Sequence, residues 1–170
     1  MTLPAGWEGP DHNFLGSDEP WCHPDHAGVY VLPAPYEHTS SYIRGSDRGP
    51  SAILEASGQV EFYDEQLRCE PYREWGGVAT ASPLELNGKV DRAAVDAIEA
   101  FVSPHVGSGR SLVTLTGEHT GALGAIRAHA KRYPQITVVQ IDAHGDLREA
   151  YQDNPFSHAS VMARVVDDGL

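Results

Sequence analysis

Apolar residues along the chain fall into two rhythms, short continuous runs and longer helical repeats. Val29-Tyr-Val-Leu-Pro33, bounded by Gly28 and Pro35, is a short apolar run that predicts a buried strand. The polar stretch 36–50, with Gly45 and Gly49-Pro50, predicts a long loop, and Pro50 suits the first turn of a helix reaching Ser57 because its missing N–H is unpaired there anyway. Val60 to Tyr63 and Gly77 to Ala81 predict two further strands. Asp91 is placed to cap a helix whose apolar positions Ala94, Val95, Ile98, Ala100 and Phe101 recur at helical spacing and which ends near Pro104. Ser111 to Thr116 predicts a strand, Thr120 to Tyr133 a helix stopped by Pro134, Ile136 to Ile141 a β-branched strand, and Ser157 to Asp168 a helix ending at Gly169. Residues 1–27, rich in Gly, Pro, Asp, His and Trp, show no period and predict an irregular arm.

Strands alternating with helices imply βαβ units, hence an α/β fold: a mainly parallel sheet with helices on both faces, in three layers. Composition narrows the function classes. The 170 residues carry 12 Lys+Arg against 24 Asp+Glu, a net charge of -12, which argues against a nucleic-acid surface built on phosphate neutralisation. It is more compatible with a small cationic ligand. Cys22 and Cys69 stand far apart without CxxC spacing, so neither a zinc finger nor a disulfide framework is expected. No apolar run approaches the roughly 18 residues of a membrane helix, and the N-terminus lacks a basic region followed by an apolar stretch, so the expected location is cytoplasmic with no membrane partner.

In such sheets ligands bind beyond the carboxyl ends of the strands. Asp142-Ala-His144-Gly-Asp146 follows the strand ending at Ile141, and its three polar residues alternate with small ones, so an extended backbone puts them on one side. Two carboxylates and an imidazole converging there are best satisfied around a cation. Thr116-Gly-Glu-His119 brings a second imidazole to the end of another strand. Carboxylates with imidazoles and no thiolate suit Mn²⁺, with Zn²⁺, Fe²⁺, Co²⁺ and Ni²⁺ behind it. Asp142 could bridge two ions about 3.5–4 Å apart.

Val138-Val-Gln-Ile-Asp-Ala-His-Gly-Asp-Leu-Arg148 resembles the DAHxD signature of the ureohydrolases, the arginase and agmatinase family, and Thr116-Gly-Glu-His119 resembles its upstream GG(D/E)H motif. The segments 35–45 and 49–57 resemble the family's substrate-side loop and first helix, and Asn154-Pro-Phe-Ser-His158-Ala-Ser160 is similar to the agmatinase FSHGT segment. The resemblance covers about residues 28–168, so residues 28–170 read as the N-terminal portion of one ureohydrolase domain. It implies an arginase-like fold, and two Mn²⁺ ions with His119, Asp142 and Asp146 on the first and Asp142 and His144 on the second. It further implies that His158 relays protons or contacts substrate, that a guanidino compound such as agmatine is hydrolysed to urea and putrescine, and that the protein assembles as a trimer or hexamer. Glu118 is expected to orient His119 or the backbone, and Arg148 to pair with a carboxylate, while His38 and Arg44 lie in a loop bordering the expected pocket.

The family's later DxDxxDP motif has no match in residues 1–170. The resemblance therefore implies three ligands for the first ion and two for the second, an incomplete sheet, and doubtful activity for this chain alone. The alternative expectation is a non-catalytic paralogue or fragment that partners an intact ureohydrolase.

Overall fold

The computed structural model describes residues 2–170. Its centre is a three-stranded sheet in the order β2-β1-β3, formed by β1 (Val29–Ala34), β2 (Val78–Thr80) and β3 (Ser111–Thr116). All pairings are parallel: Val29 faces Val78 on one side and Ser111 on the other, and the β1–β3 ladder continues to Ala34 opposite Thr116. Helix α1 (Gly49–Ser57) and the short α2 (Pro71–Glu74) lie between β1 and β2 in sequence. Then α3 (Asp91–Val102) leads to β3, and α4 (Thr120–Arg132) follows it. The final helix is α5 (Val161–Asp167). Because the chain leaves β1 toward β2 and then returns to the other side for β3, the strand order reverses at β1, and a crevice opens beyond the ends of β1 and β3.

Alternation along β1 explains the layers. Tyr30, Leu32 and Ala34 point to one face and pack with Ala94, Ile98 and Val102 of α3 and Ala128 of α4. Val29 and Val31 point to the other and pack with Val78, Tyr72, Leu54 and Phe62. Gly124 lets α3 and α4 touch closely, since a Cβ there would lie 2.7 Å from the Val95 carbonyl oxygen. A third cluster docks α5 on this pair through Val95, Leu123, Val161 and Val165. The N-terminal arm is irregular, as its composition predicts, but it is tied down: Glu8 N–H donates to the Thr80 carbonyl (2.8 Å), Val78 N–H to the Trp21 carbonyl (2.8 Å), and Trp7 packs edge-on to Tyr30. None of the described helices is long and apolar enough to cross a membrane.

Three expectations from the sequence need correction. Ile136 to Ile141 runs extended but joins no ladder among the described residues; Val138 packs on the α5 cluster while Val139 is 78% and Ile141 98% exposed. β-branched residues straighten a backbone, but a strand also needs a neighbour to bond, and β3 offers its second edge to none of the described segments. Val60 to Tyr63 is also unpaired. The chain there turns back on itself through the Asp64–Cys69 bridge, and Phe62 packs on Tyr72. Asp91 begins α3 without capping it through its side chain; its carboxylate instead accepts from Asn154 (2.6 Å).

Tyr36 follows β1 into the core, where its hydroxyl oxygen accepts the Asp91 N–H (2.9 Å). Burial, seconded by the Glu118 and Asp91 carboxylates, pushes its pKa from 10.0 up to about 12. The fold therefore favours the neutral phenol, a contribution fully present below pH 10 and lost as pH rises through about 12. Unfolding free energies measured in urea across this range should fall with pH, and fall less steeply in Tyr36→Phe. Separately, Ile98→Ala, which empties a fully buried site between α3 and the sheet, should cost about 2–5 kcal/mol in the same measurement at neutral pH.

Candidate metal centre and its flanking histidine

Two loops meet at the open end of the sheet. Glu118 N–H donates to the Tyr36 carbonyl (2.9 Å), joining the segment after β3 to the segment after β1. The approach needs Gly117, because a Cβ there would press on the Tyr36 carbonyl and lie 2.7 Å from both the Asp47 nitrogen and the Ser46 carbonyl carbon. The buried Glu118 carboxylate then gathers four donors: the His38 N–H (3.0 Å), the Thr39 N–H (2.8 Å), the Thr39 hydroxyl (2.7 Å) and the Thr120 hydroxyl (2.9 Å). Glu118 thus orients backbone and hydroxyls and makes no bond to the His119 ring.

His119 stands immediately before α4, its ring turned toward the 142–146 segment. Its Nδ1 lies 2.7 Å from Asp146 Oδ2 and 3.7 Å from Asp142 Oδ2. One ligand atom from each of these three residues falls within 4.8 Å of the others. Asp146 adopts φ +47°, which turns the chain sharply, and its carbonyl accepts the Met162 (3.0 Å) and Ala163 (3.3 Å) N–H groups at the start of α5. The His144 backbone N–H donates to Asp142 Oδ1 (3.0 Å); this bond, the Gln140 amide, and the His119 and His144 rings together hold the Asp142 carboxyl below its usual range. Asp142 therefore stays ionised to lower pH than an ordinary aspartate.

The structure brings His119, Asp142 and Asp146 together and leaves His144 outside. The His144 side chain is 81% exposed, with its nearest acidic oxygen, Asp142 Oδ1, 3.9 Å away. His158 lines a cleft of about 450 Å³ together with Asp146, His144, Arg148 and Tyr151. Its backbone N–H donates to the Thr39 hydroxyl (3.0 Å), and its Nδ1 lies 3.1 Å from the same oxygen. Contrary to expectation, Arg148 pairs with no carboxylate among the described residues; its guanidinium lies over the Tyr151 ring at 5.5 Å, and that ring packs edge-on to His158 at 5.4 Å. His38 sits 3.9 Å from Asp91, away from the acidic trio, and Arg44 is exposed. Thr39 and Asn154 lie inside segments that resemble the family's, 35–45 and 154–160, but their roles, like that of Tyr151, are contacts between distant segments that residue order does not signal.

Two carboxylates and one imidazole with no sulfur fit a hard-to-borderline divalent cation such as Mn²⁺, and the His119 Nδ1 proton that now serves Asp146 would leave on binding. This is the site chemistry of hydrolases that work through metal-activated water.

The chain belongs to the arginase family, which residues 27–170 match. It is 41% identical over 175 residues to N(1)-aminopropylagmatine ureohydrolase of Synechocystis sp., covering all of this chain and 56% of that protein. It is 35% identical over 143 residues to the agmatinase of Bacillus anthracis, covering 82% of this chain and 47% of that one. Among solved structures, agmatine ureohydrolase of Thermoplasma volcanium superposes with a TM-score of 0.69 at 28% identity, over 84% of this chain and 47% of that one. Arginase from Medicago truncatula does so with a TM-score of 0.71 at 25% identity, over 85% and 47%. The chain spans about half the length of the curated relatives it matches. The arginase-like fold expected from the motifs is thus present with three paired strands.

Mn²⁺ at about 100 times its dissociation constant should stabilise the chain by about 2.7 kcal/mol. Asp146→Asn should weaken that stabilisation by at least about tenfold in apparent affinity, whereas His144→Ala should leave it in place. Thermal midpoints with and without the metal, and after chelation, read both outcomes.

Proposed function

We propose that this chain carries one half of the reaction centre of a ureohydrolase that cleaves an amine-bearing alkyl guanidine, agmatine or its aminopropyl derivative, to urea and the corresponding amine. The observation that carries the reading is the convergence of His119, Asp142 and Asp146 at the open end of the sheet, with Asp146 and His158 lining one cleft. Relatives bearing the names agmatinase and N(1)-aminopropylagmatine ureohydrolase point to the substrate class.

His119, Asp142 and Asp146 would hold one divalent ion, Mn²⁺ by family resemblance, and Asp142 and His144 would supply the nearer ligands of a second. When bound there, such an ion would supply a water whose pKa is lowered to about 7, a nucleophile at neutral pH. Asp142, ionised well into acid, keeps the cluster charged and draws the cationic guanidinium toward it. His158, fixed by Thr39, is the group placed to hand a proton to the departing amine. Asp146 is oriented through its backbone by α5, which keeps its carboxylate facing His119. Completion of the sheet along β3 and beside residues 136–141 is part of this reading, as is assembly into trimers or hexamers.

A second reading is that the chain is an interaction partner whose open sheet edge pairs with an intact ureohydrolase; the exposed Val113, Val139 and Ile141 favour it. Urea release is the deciding measurement. The 170-residue chain and the chain joined to the remaining half of the Synechocystis relative should be loaded with Mn²⁺ and offered agmatine, N(1)-aminopropylagmatine and arginine. Activity in the joined protein on the first two, lost about 100-fold or more in His158→Ala, is the expected result. A joined protein that binds Mn²⁺ and releases no urea from any guanidino compound would overturn the catalytic reading.

A further inference from the structure

The proton chain from Glu118 through Thr39 to His158 has only one consistent direction. The Thr39 hydroxyl has one proton and two lone pairs. It lies 2.7 Å from Glu118 Oε1, and a carboxylate brings no hydrogen of its own, so the Thr39 proton must lie on that bond. One lone pair is taken by the His158 backbone N–H at 3.0 Å. The remaining lone pair faces His158 Nδ1 at 3.1 Å, and that contact is attractive only if Nδ1 carries a hydrogen. The Glu118 carboxylate is itself locked, because its second oxygen accepts the His38 and Thr39 N–H groups and so cannot rotate away.

We infer that Glu118 and Thr39 are positioning residues that fix His158 in the Nδ1–H tautomer and leave the Nε2 lone pair free at the cleft. The inference rests on the proposed function only for its consequence: a neutral imidazole held this way can take a proton at Nε2 and return it from the same atom to the leaving amine, while Nδ1–H keeps the ring in place. No proton passes to Thr39 or Glu118 in that exchange, so the pair acts by orientation. Buried groups that choose a histidine tautomer through its other nitrogen are a recognised way of aiming the reactive one.

The tautomer can be read directly by long-range ¹H–¹⁵N correlation spectra of the uniformly ¹⁵N-labelled chain at about pH 8, above the usual imidazole range. His158 is assigned by the signals that vanish in His158→Gln. The expected wild-type pattern is a protonated Nδ1 and a bare Nε2. Thr39→Ser keeps the hydroxyl and should keep the pattern, whereas Thr39→Val removes the acceptor and should shift His158 to Nε2–H. Glu118→Gln gives a sharper outcome. Its amide oxygen can still accept the two backbone N–H groups, which turns its NH₂ toward Thr39 and Thr120. The Thr120 hydroxyl can then donate to the Phe156 carbonyl, 3.2 Å away, and the Thr39 hydroxyl to Nδ1, reversing the chain and giving Nε2–H. A merely structural role for Glu118 would not reverse the tautomer. Nε2–H in the wild type, or Nδ1–H retained in Thr39→Val, would overturn the inference. The spectra need neither metal nor substrate, so a failure here is distinct from a failure to release urea.

Discussion

The site depends on one buried carboxylate. Glu118 draws the loop after β1 and the start of α4 onto a single pair of oxygens, and each of its four donors belongs to backbone or to a hydroxyl that the loops themselves provide. A buried charge with fewer partners would be strongly destabilising, and with these it becomes a common anchor for the segments that carry His119 and His158. His119 is next in the chain, and His158 is joined to Glu118 through Thr39. Gly117 makes this possible by letting the two loops touch where any side chain would separate them.

The sheet adds a second constraint, of a different kind. Its strands are parallel, and β1 and β2 are covered on both faces, so their residues are buried without the alternation of a half-exposed sheet. The β3 edge and the extended 136–141 segment carry the same kind of sequence but no partner, and they expose Val113, Val139 and Ile141. A chain that spans about half of its relatives' length thus keeps a well-packed core around β1 while leaving backbone hydrogen-bonding groups open beside the candidate metal ligands. The 142–146 loop is held by α5 through the Asp146 carbonyl and by the His119 ring through the Asp146 carboxylate.

Much of this was legible from residue order. The helices at Gly49–Ser57, Asp91–Val102 and Thr120–Arg132 and the strand Ser111–Thr116 follow from local period and from Pro and Gly punctuation, signals that need no tertiary context. The Asp142–His144–Asp146 spacing pointed to a candidate cation site because crowding carboxylates has few other physical justifications, and two of its three residues join the cluster. What could not be read were relations between distant segments. Ile136 to Ile141 has the composition of a strand, and only the absence of a neighbour keeps it from being one. His144 fits the spacing yet faces solvent, because the backbone turn at Asp146 and the His144 N–H bond to Asp142 decide which side chains converge. Thr39 is one polar residue in a polar loop, and its part emerges only when residue 158 is folded back against it.

The bond between the Asp146 carbonyl and the first turn of α5 has a further consequence for motion. Helix α5 is seven residues long and too short to persist by itself, so its turns exist only while Val161 and Val165 stay docked on α3 and α4. When that docking lapses, the Met162 and Ala163 amides release Asp146, and the backbone turn that aims its carboxylate loses its anchor. Amide exchange at these two positions and loss of an ion from His119, Asp142 and Asp146 would therefore be one opening event seen through two clocks, so that a short helix with no proposed ligand of its own would set how long an ion resides.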